Sequence, residues 1–227
     1  MFAQLITIKI RRDQLKEFYS MPLTPSTMLP LGTLAVNFHV SDVVSGNTIS
    51  LYNFADKKAL LVMFISRHCP YVQHIKHELA QIGRDYKDKN LGIIAISSND
   101  ANTHPDDAPE SLKAFAQELD LSFPLGYDET QEVAKSFFAA CTPDFFLFDA
   151  DKRLVYRGQL DDSRPKSEIP VTGKDLRNAI DAVLGDRASY SPYRDVSPEQ
   201  KPSIGCNIKW KPGNEPVYYK TPAVTVS

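Results

Sequence analysis

The chain has 227 residues, with 26 Lys+Arg against 28 Asp+Glu and a formal charge of −2, so it has no overall basic field for nucleic acid. Its 42% hydrophobic and 24% charged residues form a globular composition, which excludes disorder of the whole. Three cysteines, an odd number, are too few to staple a fold of this size and exclude an extracellular disulfide scaffold.

The N-terminal stretch meets Lys9, Arg11 and Arg12 after its apolar residues and shows no secretory pattern. The longest apolar run, Ala59 to Ile65, is far short of the roughly 20 residues that cross a bilayer. A cytoplasmic protein without membrane contact is expected, and in that compartment thiols are normally reduced. Pro22, Pro25 and Pro30 make residues 1–30 an extended arm. A folded domain is expected over residues 31–185.

Val36 to Val43 and Thr48 to Leu51 read as a hairpin around Ser45-Gly46-Asn47, where Gly-Asn supplies the positive φ of a tight turn. Ala59 to Ile65 is a buried-strand run with no polar face. In Pro70 to Tyr86, Val72, Ile75, Leu79 and Ile82 recur at three and four residues, one stripe of an amphipathic helix. Leu91 to Ser97 is a second buried strand, which completes a βαβ unit and makes the sheet partly parallel. An insertion follows, with a helix over Glu110 to Leu119 and a strand over Phe123 to Tyr127. Then come a helix over Thr130 to Phe138, strands over Phe145 to Phe148 and Leu154 to Gly158, and a helix over Thr172 to Leu184. Thr172 is its expected N-cap and Gly185 its C′ residue. Residues 186–227 change character: prolines alternate with Tyr190, Tyr193, Trp210, Tyr218 and Tyr219, an extended strap packed on the core or on a partner.

Cys69 falls between the Ala59–Ile65 strand and the helix opening at Pro70. A sulfur at a helix N-terminus meets unpaired N–H groups and the positive end of the macrodipole, and Arg67 and His68 are expected to tune it further toward thiolate. His68, His74 and His77 beside Cys69 suggest a metal, but Cys69 and His74 lie about 140° apart around a helix, so no metal site is expected. His104 stands in a polar loop, and Asp100, Asp106, Asp107, Asp161 and Asp162 lack the alternating spacing of a calcium loop. No P-loop, dinucleotide fingerprint or nucleophile elbow is present, and no cofactor is expected.

At these residues the chain resembles the thioredoxin-like superfamily, in its branch of peroxiredoxin-like and alkyl-hydroperoxide-reductase (AhpC/TSA) redoxins. The resemblance covers about Leu31 to Gly185. It rests on Cys69-Pro70-Tyr71-Val72 after a hydrophobic strand, on Cys141-Thr142-Pro143 before Asp144 to Phe148, and on the closing ββα. It implies a thioredoxin-like α/β three-layer sandwich with an N-terminal β-hairpin and a peroxiredoxin-type insertion. Pro143 is then cis, faces the active cysteine and leaves the Thr142 backbone free to pair with a substrate. Val72 stands where a dithiol oxidoreductase has its second cysteine, so no disulfide closes within the corner. Ser66 is spaced from Cys69 as in the peroxiredoxin P-x-x-x-[TS]-x-x-C pattern, with Val62 in the proline position, and Arg164 is placed like the catalytic arginine. A plain strand-end hydroxyl and a surface arginine are the alternatives for these two.

The resemblance implies a thiol oxidoreductase with antioxidant activity: Cys69 attacks hydrogen peroxide or an organic hydroperoxide and becomes a sulfenic acid, with Ser66 and Arg164 holding the oxygens. Cys141, near the Thr-Pro loop, and Cys206, in the strap, compete as resolving thiol; each also reads as a small buried hydrophobe. A thiol reductant such as a thioredoxin or glutathione completes the cycle, and an oligomer is compatible with this reading. The alternatives are thiol-disulfide exchange through one active cysteine and a redox-inactive binding module. Both enzyme readings require an exposed, low-pKa Cys69.

Overall fold

The computed structural model describes residues 23–185, 196–197 and 199–219. Its strands are β1 (Leu23–Pro25), β2 (His39–Asp42), β3 (Thr48–Ser50), β4 (Ala59–Phe64), β5 (Leu91–Ser97), β6 (Leu125–Tyr127), β7 (Cys141–Thr142), β8 (Asp144–Phe148), β9 (Leu154–Tyr156) and β10 (Ile204–Asn207). Its α-helices are α1 (Pro70–Asp85), α2 (Pro109–Glu118), α3 (Glu132–Ser136) and α4 (Lys174–Leu184). Seven strands form one sheet in the order β3-β2-β6-β5-β4-β8-β9, with β5 parallel to β4 and β6 and the other neighbours antiparallel.

β4 is central because its residues are buried on both faces. Leu61 and Met63 join Leu79, Ile75, Phe115 and Ile180 on the face covered by α1, α2 and α4. Leu60, Val62 and Phe64 join Phe137, Phe146 and Phe148 on the opposite face, under α3 and Trp210. The period of two along one apolar run thus feeds two cores and gives the expected three-layer α/β sandwich. The hairpin β2–β3 turns at Gly46, whose φ is +74°.

Two expectations need correcting. The N-cap of α4 is Gly173, at φ +65°, rather than Thr172; Gly185 follows at φ −57°, outside the left-handed C′ conformation. The arm is not simply extended: β1, β10 and β7 form a second, antiparallel sheet that ties the chain before residue 31 to the strap. The strap is extended, as expected, and contributes the strand β10 to that sheet. Trp210 and Tyr219 pack on the second core and the Tyr218 hydroxyl bonds the Ala139 carbonyl at 3.1 Å. Tyr190 and Tyr193 lie outside the described residues. Gln131, fully buried, holds the strap by donating to the Lys209 carbonyl and accepting from the Lys211 amide. Among the described residues no helix is long and apolar enough to cross a membrane.

Candidate active site

Where β4 ends, Ile65 to His68 turn the chain and Cys69 becomes the N-cap of α1, with Pro70 at its first position. Proline fits there because its missing N–H is one that a helix start leaves unpaired anyway. The Cys69 side chain is fully buried, and its thiol donates to the Thr142 carbonyl at 3.1 Å. The Thr142–Pro143 bond is cis, and the loop lies against the cysteine as the resemblance implied.

All three cysteines are thiols, and Cys206 and Cys141 have different surroundings. The Cys206 thiol is hydrogen bonded to the Cys69 sulfur. Burial alone would push Cys69 up. Hydrogen bonds from Cys206, from Thr142 and from the amides of Val72 and Cys206 outweigh it and bring the pKa down to about 6. The Thr142 hydroxyl is buried without another partner, so a thiolate at Cys69 gives it an acceptor. Cys206 is driven far above the ordinary thiol range by its hydrogen bond to Cys69, by burial and by the Cys69 charge, while Lys209 pulls it down. Cys141 points instead to the carbonyls of Pro143 and Ser203, at 3.5 and 3.9 Å, and burial raises it well above the usual value.

The remaining predicted residues turn elsewhere. Ser66 gives its one hydroxyl proton to Asp107 at 2.8 Å. His68 Nδ1 lies 2.6 Å from the same carboxylate, and its ring stacks on His104 at 4.8 Å. The Arg67 amide donates to Asp107 at 2.6 Å and its guanidinium to the Ser111 carbonyl. The expected tuning of the thiol by Arg67 and His68 is therefore corrected: the donors to Cys69 come from β7, β10 and the first turn of α1. Arg164 donates to the carbonyls of Asp161 and Ser163 and to Gln159 Oε1. It lines a shallow cleft with Tyr71, His74, Pro143 and Ile204, but its hydrogen bonds stay within its own loop. His74 bonds Ser163 at 2.7 Å.

Two expectations fail at this site. Cys69 is covered rather than exposed, and the Thr142 backbone is not free, because Thr142 pairs with Cys206 across β7 and β10. Asp107, which the sequence offered only as a carboxylate without calcium-loop spacing, is fully buried and accepts from Ser66, Arg67, His68 and Asn99. Asn99 Oδ1 in turn accepts from the Lys209 amide at 2.8 Å, which links the corner beneath Cys69 to the strap above it. An aspartate in a Pro-Asp-Asp loop gives no periodic signal, and its donors are scattered along the chain.

The sequence profile of the AhpC/TSA family matches residues 31–157, more than half of the chain. The thiol-disulfide oxidoreductase ResA of Bacillus thuringiensis subsp. konkukian is 27% identical over 137 residues, 60% of this chain and 74% of ResA. An uncharacterized conserved protein of Geobacillus kaustophilus superposes with a TM-score of 0.80 at 51% identity, covering 85% of this chain and 98% of that one. A hypothetical protein of Sinorhizobium meliloti 1021 gives 0.79 at 47% identity, covering 84% and 100%. A thiol:disulfide interchange protein of the thioredoxin family from Chlorobium tepidum, at 16% identity and TM-score 0.54, covers 69% and 99% and shares the fold.

Proposed function

The chain belongs to the AhpC/TSA family, and on that premise we propose that it is a thiol-disulfide oxidoreductase whose reactive pair is Cys69 and Cys206. The observation that carries this reading is the hydrogen bond between the two thiols, one held low and the other high. The pair replaces the C-x-x-C dithiol that Val72 removes.

The Cys69 thiolate attacks one sulfur of an external disulfide R–S–S–R′. A bond forms between Cys69 and RS, the external S–S bond breaks, and R′S⁻ leaves and is protonated by water. Cys69 is now neutral, so the charge that kept Cys206 protonated is gone, while Lys209 still favours a Cys206 thiolate. Cys206 loses its proton to water and attacks the Cys69 sulfur, and RS⁻ departs. Two electrons have passed from the dithiol to the external disulfide, which becomes two thiols. Two external thiols restore the pair by the reverse steps and leave joined as a disulfide.

The naming of the ResA relatives favours disulfide over peroxide as substrate. The hydrogen bonding agrees, since Ser66 and Arg164 hold Asp107 and their own loop rather than the sulfur. The test is mass spectrometry of cysteine states after brief exposure of the reduced protein to oxidised glutathione and, separately, to hydrogen peroxide. The expected products from oxidised glutathione are a Cys69–Cys206 disulfide in the parent and a Cys69 mixed disulfide in Cys206→Ser. Faster conversion by peroxide to a Cys69 sulfenic acid would return the peroxidase reading. No change at Cys69 with either reagent would leave the binding module.

A further inference from the structure

Anything that reacts with Cys69 has to deal with β10. The Cys69 side chain has no exposed surface, and its sulfur is enclosed by Thr142 and Cys206. β10 is held on one edge by β7, by Ser203 Oγ donating to the Pro143 carbonyl at 2.6 Å and by the Ile208 amide donating to the Ala140 carbonyl at 3.2 Å. Its other edge carries β1, with Leu23 opposite Cys206 and Thr24 opposite Gly205.

The approach of β10 to β7 is unusually close at one point. A Cβ added to Gly205 would stand 1.9 Å from the Thr142 carbonyl oxygen and 2.6 Å from its carbon, both backbone atoms. A backbone obstacle cannot swing aside as a side-chain tip can. Glycine is required there by space, and it is the residue directly before the thiol that meets Cys69.

Resting on the thiol-exchange reading, we propose that Ile204–Asn207 occupies the seat of a polypeptide substrate, and that Cys69 acts on extended protein segments whose cysteine directly follows a glycine. When β10 and β1 lift away as a ribbon, the main-chain groups of Thr142 lose their partner in a buried place. A second extended strand restores those hydrogen bonds and so reacts faster than a small disulfide, which leaves them unmade. The register then dictates the sequence. The residue opposite Thr142 presents its sulfur to Cys69, and the residue before it passes under the Thr142 carbonyl, where a methyl group does not fit.

The experiment uses the full chain carrying Cys206→Ser and synthetic peptides copying residues 203–208, Ser-Ile-Gly-Cys-Asn-Ile, with the cysteine activated as a 2-thiopyridyl disulfide. Attack by Cys69 breaks the peptide–pyridyl S–S bond, forms the Cys69–peptide disulfide and releases pyridine-2-thiolate, which is followed by absorbance. The Gly-Cys peptide is expected to react at least tenfold faster than matched Ala-Cys and Val-Cys peptides. Residues 204–207 of the protein should lose amide-exchange protection in the adduct. Equal rates for the three peptides, or unchanged protection in the adduct, overturn the proposal. A 2,2′-dithiodipyridine control separates the two readings: if it labels Cys69 while the peptides do not, only the strand replacement fails. If it too leaves Cys69 unmodified, the thiol-exchange reading fails with it.

Discussion

Thr142 and Cys206 stand directly opposite each other in the antiparallel pair β7–β10, and both bond to the one sulfur of Cys69. The strand register places the second thiol that the helix corner lacks. A protonated Cys69 donates to the Thr142 carbonyl; an ionised one accepts from the Cys206 thiol, the Thr142 hydroxyl and two amides. The site thus has a hydrogen-bonding solution for both protonation states, and the donors to the anion prevail.

The first prediction follows from that balance. In the parent, thiolate absorbance at 240 nm should titrate with a midpoint near pH 6. Cys206→Ala removes the donor that lowers Cys69 most, so the midpoint should rise by about one unit. An unchanged midpoint would show that the Thr142 hydroxyl and the amides of Val72 and Cys206 lower the pKa without the Cys206 thiol.

Cys141 gives the second. Burial, with the charges of Asp144 and Cys69 added, keeps it protonated at neutral pH, and its sulfur faces two carbonyls rather than Cys69. Cys141→Ala should leave the rate of Cys69–Cys206 disulfide formation unchanged while costing about 1 kcal/mol of stability through lost packing. Loss of the disulfide in this variant, read by mass spectrometry, would move the resolving role back to Cys141.

Much of the fold was legible because its strands and helices are short, strongly patterned runs. Ala59 to Ile65 and Leu91 to Ser97 have no polar face, and the stripe through Val72, Ile75 and Leu79 has helical spacing, so β4, β5 and α1 follow from local pattern. The corner at Cys69 was legible for the same reason: it is a junction between two clear elements. The second sheet was not. β1 spans Leu23–Pro25, β7 spans Cys141–Thr142, and β10 is interrupted by Gly205, so no hydrophobic alternation builds up in any of them. Their pairing joins residues far apart in the chain, and what requires Gly205 is a carbonyl in β7. Cover over Cys69 is therefore a tertiary fact that spacing along the sequence does not contain.

Asp107 supplies the third prediction. It is fully buried; burial would raise its pKa, but hydrogen bonds from His68, Asn99 and Ser66 hold it below the usual carboxylate value. Its stabilising contribution is therefore complete at neutral pH and is lost as acid protonates it below about pH 4. Asp107→Ala strands the donors of Ser66, Arg67, His68 and Asn99 in the interior, with an expected loss of about 3 kcal/mol or more in urea unfolding at pH 7. Because Asn99 also holds the Lys209 amide, the same variant should label faster at Cys69 with iodoacetamide. A loss under about 1 kcal/mol with unchanged labelling would mean the carboxylate supports neither the corner nor the strap.

Asp144, the residue after the cis proline, behaves in the opposite sense. Burial pushes its pKa up to about 7 against the Ala140 amide and the charge of Arg157, which favour ionisation. From about pH 4 to pH 7 the folded protein keeps a proton that the unfolded chain, with its ordinary aspartate, has already released. Raising the pH through that window therefore favours unfolding, and the loss levels off above about pH 7. Asp144→Asn does not titrate. Leaving Arg157 without its counter-charge costs the variant an amount that is constant over this range, because Arg157, though lowered by burial, titrates only at about 10. The difference in unfolding free energy between variant and parent should thus move in favour of the variant by up to roughly 4 kcal/mol between pH 4 and pH 8, at about 1.4 kcal/mol per pKa unit. Urea titrations at four pH values read this slope, and a difference that stays flat would show that Asp144 is ionised in the folded protein throughout.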